Sequence, residues 1–517
     1  MSLAFPLPRR RFLAAGAAGL LVPVLLAADG DAVRVRSARP VRVPTGAFTL
    51  GVASGDPLPD GVVLWTRLAP RPTDGGGMPP EPVEVRWEVA TDERFRHVER
   101  HGTAVARPSR AHAVHVDARG LRPGREYYYR FRVGTEASPV GRTRTAPAPD
   151  ARPARLRFAT ASCQNWQDGF YTAYRGMAEE DVDFVAFLGD YIYEVGPGAD
   201  RLRDHTGSGQ TYTLTDYRNR HAQYRTDADL ARMHAAAPWI MTIDDHDVDD
   251  NWTGDHPADP GVREPVSFPA RKAAALRAFV EHMPVRVGPG FRLYRRFRFG
   301  RLATLHAVDT RQYRSRHPRT RREANDPGRT MTGPAQERWL VRGLAGSSSA
   351  WNLVANQVMI AAAGYPGTRL GFDGWNGYRA QRHRLLEFLG TGAVSNPVVL
   401  SGDQHATLAC DLRPDFDSPT SPVVAAELVG TSITSGGDAD VAAFQREHAA
   451  ERAANPHWKY LDNRRGYLVG ELSPGRLDAR LRVVGTVLSP GDTTVTTAAR
   501  FVVESGRPGV SLDSLAG

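Results

Sequence analysis

The chain has 517 residues and a net charge of +9, and 41% of its residues are hydrophobic while 24% are charged. This composition is typical of a globular protein and excludes a disordered or membrane-embedded chain. The length exceeds that of one ordinary domain. The basic residues are almost all arginines spread along the sequence, with lysine only at Lys272 and Lys459. We therefore expect a basic surface that attracts anionic substrates, without specific nucleic-acid binding.

The amino terminus predicts an export signal. Three consecutive arginines, Arg9 to Arg11, precede a mildly apolar stretch that ends near Ala28. This pattern is typical of a twin-arginine signal peptide, and we assign residues 1–28 to it, with a single anchoring helix as the alternative. No other segment approaches the roughly 20 apolar residues that span a bilayer. We expect the translocation machinery for such signals as a partner, and a secreted, periplasmic or cell-wall location.

Residues 40–149 consist of short alternating stretches separated by turn residues. The stretches "VVLWTRL", "VEVRWEVA" and "EYYYRFRV" alternate in polarity, and "DPLPDG" and "GLRPGR" are typical of turns. Such alternation predicts an all-β domain, an antiparallel sandwich of immunoglobulin or fibronectin type. The Pro/Ala-rich stretch from Thr145 to Arg155 predicts the boundary of this domain.

Apolar strands alternate with amphipathic helices in residues 155–510. The strand-like stretches include "LRFATA", "VDFVAFL", "PWIMTI", "WNLVA" and "PVVL", and the helix-like ones include "TDADLARMHAAA" and "PARKAAALRAFVEHM". Continuous apolar strands between helices predict sheets that are covered by helices. The predicted fold class is therefore α/β, a layered β-sandwich flanked by helices and preceded by the all-β domain.

Polar residues collect directly after five of these strands. In chain order they are Cys163; Asp190 and Tyr193; Asp245 and His246; Asn356; and Asp403 with His405. In α/β proteins, loops at the carboxyl ends of strands form the ligand-binding crevice. Because several carboxylates are tolerated in one crevice when cations lie between them, we predict a metal site there.

The donor types indicate more than one kind of metal. Carboxylate and amide oxygens suit hard cations, whereas imidazole, thiolate and phenolate suit a transition metal such as iron or zinc. Both sets occur at these strand ends, which predicts a multinuclear site with unlike metals. Two or more metals can bind a phosphoryl group and stabilise a leaving oxygen, so hydrolysis of phosphate esters is the predicted chemistry.

The motifs at the strand ends resemble those of a known family. Gly-Asp-x-x-Tyr, Asp-His-Asp and Gly-Asp-x-His together resemble the metallophosphoesterase superfamily. The stretches "GDYIYE", "DDHDVDDNW", "NQVM" and "SGDQHATLACDL", behind "GVASGDP" and the export signal, resemble PhoD-type alkaline phosphatases over nearly the whole chain. The resemblance implies a metallophosphoesterase-like sandwich and a secreted alkaline phosphatase that hydrolyses phosphate monoesters and also diesters.

The resemblance also implies a cofactor set, one ferric iron and two calcium ions, with zinc or manganese less favoured. It implies seven metal ligands and one catalytic histidine, which are Cys163, Asp190, Tyr193, Asp245, Asn251, Asp403 and His405, with His246 as the catalytic residue. Cys163, Asp190 and Tyr193 correspond to the iron site, with Asp190 bridging. The superfamily's ordinary Asp-x-His is replaced here by Ser162-Cys163-Gln164, and this departure is what indicates the PhoD-type site.

Two side-chain assignments stay open at the sequence level. Cys163 could pair with Cys410 in a disulfide, or both could be buried thiols, instead of Cys163 binding a metal. Tyr191 is the rival of Tyr193 in the same loop. Asn356 and Glu427 are further candidate neighbours of the site.

The remaining aspartates of "DDHDVDDNW" cannot all reach one metal. We expect one or two of Asp247, Asp249 and Asp250 to orient His246 or an arginine.

The rival functions are a phosphodiesterase or phospholipase D-like hydrolase and a non-catalytic exported protein that binds phosphate or metal. The expected substrates are small phosphoesters, including nucleotides or phospholipids, and the expected state is a monomer.

Overall fold

The computed structural model describes residues 42–261, 263–364, 372–436, 440–492 and 494–515. Before residue 150 the strands are β1 (Val52–Leu58), β2 (Gly61–Arg67), β3 (Val83–Ala90), β4 (Val98–Ala106), β5 (Ala113–Arg119), β6 (Glu126–Val133), β7 (Glu136–Ala137) and β8 (Gly141–Arg144). The later strands are β9 (Leu156–Ala161), β10 (Phe184–Phe187), β11 (Pro238–Met241), β12 (Arg295–Phe299), β13 (Ala303–Ala307), β14 (Trp351–Ala355), β15 (Pro397–Ser401), β16 (Thr407–Leu412), β17 (Ala425–Val429), β18 (Trp458–Asp462), β19 (Gly466–Leu472), β20 (Arg476–Val484), β21 (Val495–Glu504) and β22 (Ser511–Leu515). The helices are α1 (Thr172–Met177), α2 (Leu214–Arg225), α3 (Ala228–Ala236), α4 (Phe268–His282), α5 (Arg321–Ala324), α6 (Gly333–Ala345), α7 (Arg379–Gly390), α8 (Val441–Glu447) and α9 (Ala449–Ala454).

The larger of the two central sheets has ten strands in the order β22-β21-β20-β19-β9-β10-β11-β1-β2-β5. Its middle strands β9, β10, β11 and β1 are parallel to one another. The strands on both flanks are antiparallel. β10 and β11 are short apolar runs in which every residue is buried, as expected for parallel strands that are covered on both faces.

The second central sheet has seven strands in the order β12-β13-β14-β15-β17-β16-β18. It packs face to face on the ten-stranded sheet through an apolar core in which Phe158, Phe184 and Leu468 meet Leu305 and Leu353. Burying a large apolar side chain contributes about 1.5–3 kcal/mol, so this inner layer is a major source of stability.

Helices cover the outer faces of both sheets. On the ten-stranded sheet, Tyr224 of α2 and Met233 of α3 belong to the same buried cluster as Trp239 of β11. On the seven-stranded sheet, Leu344 of α6 and Leu386 of α7 belong to a third buried cluster. The order of layers is therefore helix, sheet, sheet, helix, which is the α/β layered sandwich that the sequence predicts.

The residues before 150 form two β-layers, but they do not form a separate sandwich. β4, β3, β6 and β7 form one sheet to which β8 is added, and it packs on β1, β2 and β5 through a shared core. β1, β2 and β5 belong to the ten-stranded sheet, because β1 pairs in parallel with β11 at Ser54–Pro238 and Gly55–Trp239. The predicted boundary between residues 149 and 155 therefore separates strands that belong to one sheet. The division into two domains and the immunoglobulin-type assignment stay predictions.

The predicted export signal, residues 1–28, lies outside the described residues. Within the part of the chain that the structure describes, no helix is long and apolar enough to cross a membrane.

Candidate metal centre

The loops after β9, β10, β11 and β15 bring their polar residues together. Three groups of side chains could each hold a metal ion: Cys163, Asp190 and His405; Asp190, Asp245 and His246; and Asp244, Asp245 and Asp403. In each group, one ligand atom per residue lies within 4.8 Å of the others. Asp190 and Asp245 each belong to two groups, so the three groups form one continuous cluster.

Five of the seven predicted metal ligands have a backbone conformation that L-residues rarely adopt. Their φ angles are 56° for Cys163, 58° for Asp190, 55° for Asn251, 68° for Asp403 and 51° for His405. A non-glycine residue in this region costs about 1–3 kcal/mol and persists where the surroundings enforce it, typically at functional sites. The strain therefore supports a functional role for these loops.

Close contact between the loops explains the glycines of the two Gly-Asp pairs. A Cβ atom on Gly189, which has φ +110°, would lie 2.4 Å from Cβ of Asp244. A Cβ atom on Gly402 would lie 2.6 Å from Oγ of Ser162. Only glycine permits these approaches, which bring the loop after β10 against that after β11, and the loop after β15 against that after β9.

Tyr193, and not Tyr191, faces the cluster. Oη of Tyr193 donates to Oδ2 of Asp190 at 3.0 Å and lies 3.4 Å from Nε2 of His405. Oη of Tyr191 instead lies 2.9 Å from Nε2 of His234, inside the helix-covered core. The loop leaves the regular strand conformation here, and its contacts select Tyr193.

His246 belongs to the group that shares Asp190 and Asp245 with the other two, and it is held on two sides. Its Nδ1 is 2.8 Å from Oε2 of Glu194, and its ring stacks on Tyr193 with centroids 4.1 Å apart. Burial opposes protonation of this ring, but the charges of Glu194, Asp190 and Asp245 raise its pKa well above the usual range. Glu194 is a functional candidate that the sequence interpretation missed, although it ends the "GDYIYE" motif.

Asp247 and Asp249 act as structural acceptors in the loop after β11. Asp247 accepts backbone N–H bonds from Asp190 at 3.1 Å and from Tyr191 at 3.1 Å, among others. Asp249 forms an ion pair of 2.6 Å with the fully buried Arg271. Asp247 thus fixes the backbone of the iron-site candidate Asp190, while Asp249 fixes its own loop to α4.

Asp250 lies at the more exposed end of the same loop. Its Oδ1 lies 3.7 Å from Nε2 of His246 and accepts a 2.9 Å bond from the side chain of Asn251. The backbone N–H of Asn251 donates to Oδ2 of Asp245 at 2.8 Å. The structure therefore places Asn251 beside the cluster, with its amide nitrogen directed at Asp250.

Arg311 is a buried cation that the sequence interpretation did not identify. It forms ion pairs with Asp244, with Asp245 at 3.4 Å and with Asp373 at 2.6 Å. Its side chain has no exposed surface. Arg311 follows β13 just as the predicted residues follow their strands, so the same strand-end rule would have found it.

Asn356 and Glu427 serve the packing of the second sheet. Glu427 accepts from the backbone N–H groups of Ile360 at 2.8 Å and Ala361 at 2.7 Å. Asn356 donates to Oγ of Ser401 at 3.0 Å. Neither residue is among the groups that could hold a metal in the described chain.

Both cysteines are free thiols. Cys163 lies in the cluster, whereas Cys410 belongs to the apolar core between the second sheet and its helices. The disulfide alternative is therefore wrong for this structure.

The electrostatics of the cluster fit bound cations. Burial raises the pKa of Asp190 well above its usual range, and the nearby Asp245 raises it further. Burial likewise raises the pKa of Asp403 to about 7. Oδ1 of Asp190 is buried without a hydrogen-bond partner among the described residues. A cation would favour the ionised carboxylates and give this oxygen a partner, so the residues fit a metal centre.

This chain is similar in sequence and in fold to known proteins. The sequence model of the PhoD-like phosphatase family matches residues 158–481, and that of the family's N-terminal domain matches residues 35–147. The chain is 45% identical to alkaline phosphatase D of Bacillus subtilis over 97% of its own length and 88% of that protein's. A solved structure of PhoD superposes with a TM-score of 0.86 at 44% identity, covering 93% of this chain and 94% of that one. The chain therefore belongs to the PhoD-like phosphatase family, a family of phosphoric ester hydrolases.

Proposed function

We propose that this protein is an exported, metal-dependent alkaline phosphatase that hydrolyses phosphate monoesters and also diesters. The observation that carries the proposal is the continuous cluster in which Asp190 and Asp245 each belong to two groups able to hold a cation. Adjacent cations with shared carboxylates are the arrangement that phosphoryl hydrolysis uses.

The donor set supports one ferric iron and two calcium ions. Cys163, Asp190 and Tyr193 supply a thiolate, a carboxylate and a phenolate, which suit iron. Asp245, Asn251, Asp403 and His405 would complete the metal ligands. Bound there, the cations would attract the phosphoryl oxygens, lower the pKa of a water molecule and stabilise the leaving oxygen.

His246 is the candidate catalytic residue of this site. A ring nitrogen of His246 lies within 4.8 Å of carboxylate oxygens of Asp190 and Asp245, where a phosphoryl group would bind. Because Nδ1 faces Glu194, the ring can present Nε2–H to a phosphoryl oxygen or to the leaving alkoxide. Glu194 thereby fixes both the orientation of the ring and the nitrogen that faces the substrate.

The two serines at these strand ends, Ser162 and Ser401, are held by neighbouring side chains. Oγ of Ser401 donates to Glu427 at 2.7 Å, and Oγ of Ser162 lies 3.3 Å from Sγ of Cys163. We therefore expect a single in-line displacement, which inverts the configuration of a chiral phosphate ester. Retention of configuration would show a covalent intermediate and contradict this mechanism.

The metal assignment is tested by elemental analysis together with the visible spectrum. Iron and calcium with a violet colour are expected, because phenolate bound to ferric iron absorbs visible light. Chelation should abolish hydrolysis, and restoring both metals should recover it. Zinc alone in a colourless, active protein would instead indicate a generic metallophosphoesterase.

Catalysis is distinguished from binding by one matched pair of variants. Asp190→Ala should abolish turnover of monoesters and diesters while circular dichroism shows a retained fold, whereas Asp150→Ala, at an exposed turn, should leave the rates unchanged. A wild-type protein that binds phosphate but turns over neither substrate would contradict the enzyme proposal. Relative rates on matched monoesters and diesters report the preference between them.

Export rests on the arginines of residues 9–11. Replacing all three with lysine should block twin-arginine transport and leave the protein in the cytoplasm. Fractionation of cells that express each form measures this, and unchanged export of the lysine variant would contradict the signal assignment.

A further inference from the structure

Residues 431–436, which follow β17, connect to the loop that carries Cys163. The backbone N–H groups of Thr434 and Ser435 donate to the carbonyl oxygen of Cys163 at 3.3 and 3.1 Å. The hydroxyl of Thr434 donates to the carbonyl oxygen of Asn165 at 2.8 Å. This segment therefore holds the first iron-site candidate through its backbone.

The same segment reaches His405 through one arginine. Nη1 of Arg465 donates to Oγ of Ser432 at 2.7 Å and to the carbonyl oxygen of His405 at 2.6 Å. Residues 431–436 thus connect the backbones of Cys163 and His405, two residues of one candidate cation group.

The hydroxyl of Ser435 occupies the position between two acceptors. Its Oγ lies 2.6 Å from Oη of Tyr193 and 2.8 Å from the carbonyl oxygen of Cys163, and it accepts from the backbone N–H of Asn165 at 3.1 Å. The hydroxyl has one proton for the two acceptors. Because the carbonyl of Cys163 already accepts two backbone N–H bonds, the hydroxyl of Ser435 donates its proton to Oη of Tyr193.

Tyr193 has no other hydroxyl or amide donor to its oxygen among the described contacts. Its own proton is directed at Oδ2 of Asp190, and Nε2 of His405 is 3.4 Å away. The bonds thus run from Asn165 N–H to Ser435 and from Ser435 to Tyr193, and such chains polarise each member. Ser435 is 1% exposed, so water does not compete for this geometry.

We propose that Ser435 is a positioning residue for the metal centre: its hydroxyl donates a hydrogen bond to the phenolic oxygen of Tyr193 and limits the electron donation of that oxygen to ferric iron. This inference rests on the proposed function, in which Tyr193 is an iron ligand. Hydrogen bonds to a charged oxygen are stronger than neutral ones, so the donor lowers the energy of the phenolate electrons. More energy is then needed to move an electron from the phenolate to the iron, and the charge-transfer band lies at shorter wavelength.

The test compares the visible spectra of iron-loaded wild-type protein and three variants. Ser435→Ala removes the donor, and Ser435→Cys keeps a side chain of similar size with a weak donor. Thr434→Val is the matched control, because it removes a neighbouring buried hydroxyl that contacts Asn165 and not Tyr193. Iron per chain is measured in every sample, with resonance Raman spectra excited in the band to identify tyrosine vibrations.

We expect the band of Ser435→Ala to shift to longer wavelength, that of Ser435→Cys to shift less in the same direction, and that of Thr434→Val to stay in place. Loss of iron from Ser435→Ala but not from Thr434→Val would likewise support a role in holding Tyr193. An unchanged band in both Ser435 variants with full iron content would overturn the inference. If the iron-loaded wild type itself has no tyrosine charge-transfer band, the iron–Tyr193 assignment of the proposed function fails, and this inference with it.

Discussion

Replacing Arg311 with methionine gives the strongest stability prediction of this structure. The guanidinium group has no exposed surface and meets three carboxylates, those of Asp244, Asp245 and Asp373. Two unit charges 4 Å apart attract by about 4 kcal/mol at an effective dielectric constant of 20. Removing one partner of a buried ion pair usually costs about 3–5 kcal/mol, because the remaining charge stays buried and unpaired. We therefore expect Arg311→Met to lower the free energy of unfolding by about 3–5 kcal/mol.

The assay is urea unfolding of the metal-loaded protein, followed by circular dichroism. Arg384→Met is the matched control: it removes a half-exposed arginine whose Nε lies 2.9 Å from Glu337. A surface pair of this kind contributes about 0–1 kcal/mol, so the control should unfold nearly as the wild type does.

A double-mutant cycle with Asp373→Asn isolates one of the contacts. Arg311 bonds both oxygens of Asp373, at 2.6 and 2.7 Å. For residues in such contact the two substitutions should be non-additive by about 0.5–3 kcal/mol. If Arg311→Met lowers the free energy of unfolding by less than about 1 kcal/mol, which is no more than a surface ion pair contributes, Arg311 is not held by buried charge pairs as proposed.

Three further outcomes follow from side chains described above. Glu194→Gln should lower kcat by about 10- to 100-fold with little change in KM, since His246 loses the negative charge of its partner; equal rates for the two proteins would contradict this role. Burial and a neighbouring arginine lower the pKa of His306 to about 3. The pKa of a histidine in the unfolded chain is near 6.5. The free energy of unfolding that depends on neutral His306 is therefore fully present above about pH 6.5, and it falls by up to about 1.4 kcal/mol per unit of pH below that. The His306→Leu variant should therefore lose stability less steeply between about pH 6.5 and 4, and a parallel loss would show that His306 does not titrate in this way. Thiol titration in denaturant without reductant should find two thiols, Cys163 and Cys410, and none would show a disulfide.

The central strands and the site could be predicted because both leave local signals. The apolar runs that form β9, β10 and β11 stand out from their neighbours, and each is followed directly by a polar residue of the cluster. The sequence of α2 has no hydrophobic periodicity, since Arg220, His221 and Arg225 are buried along with its apolar residues. Its available signal was the capping box of Thr213 and Asp216.

The partners of the predicted ligands were harder to find than the ligands. Arg311 is one arginine in a chain that is rich in them, so its residue type carried no information without its position after β13. Ser435 lies in "GTSITSG", which reads as an ordinary polar loop. Its role depends on a contact with Tyr193, which is 242 residues away in the sequence. No local pattern encodes such a contact.

The pairing of β1 with β11 also governs how the chain can fold. During synthesis β1 leaves the ribosome about 180 residues before its partner β11, so its edge stays open until the centre of the sheet has been made. A chain that begins at residue 155 would in turn expose the edge of β11, and such open edges promote aggregation. The segments matched by the two family models thus contribute strands to one sheet, and we expect neither segment to be soluble when expressed alone.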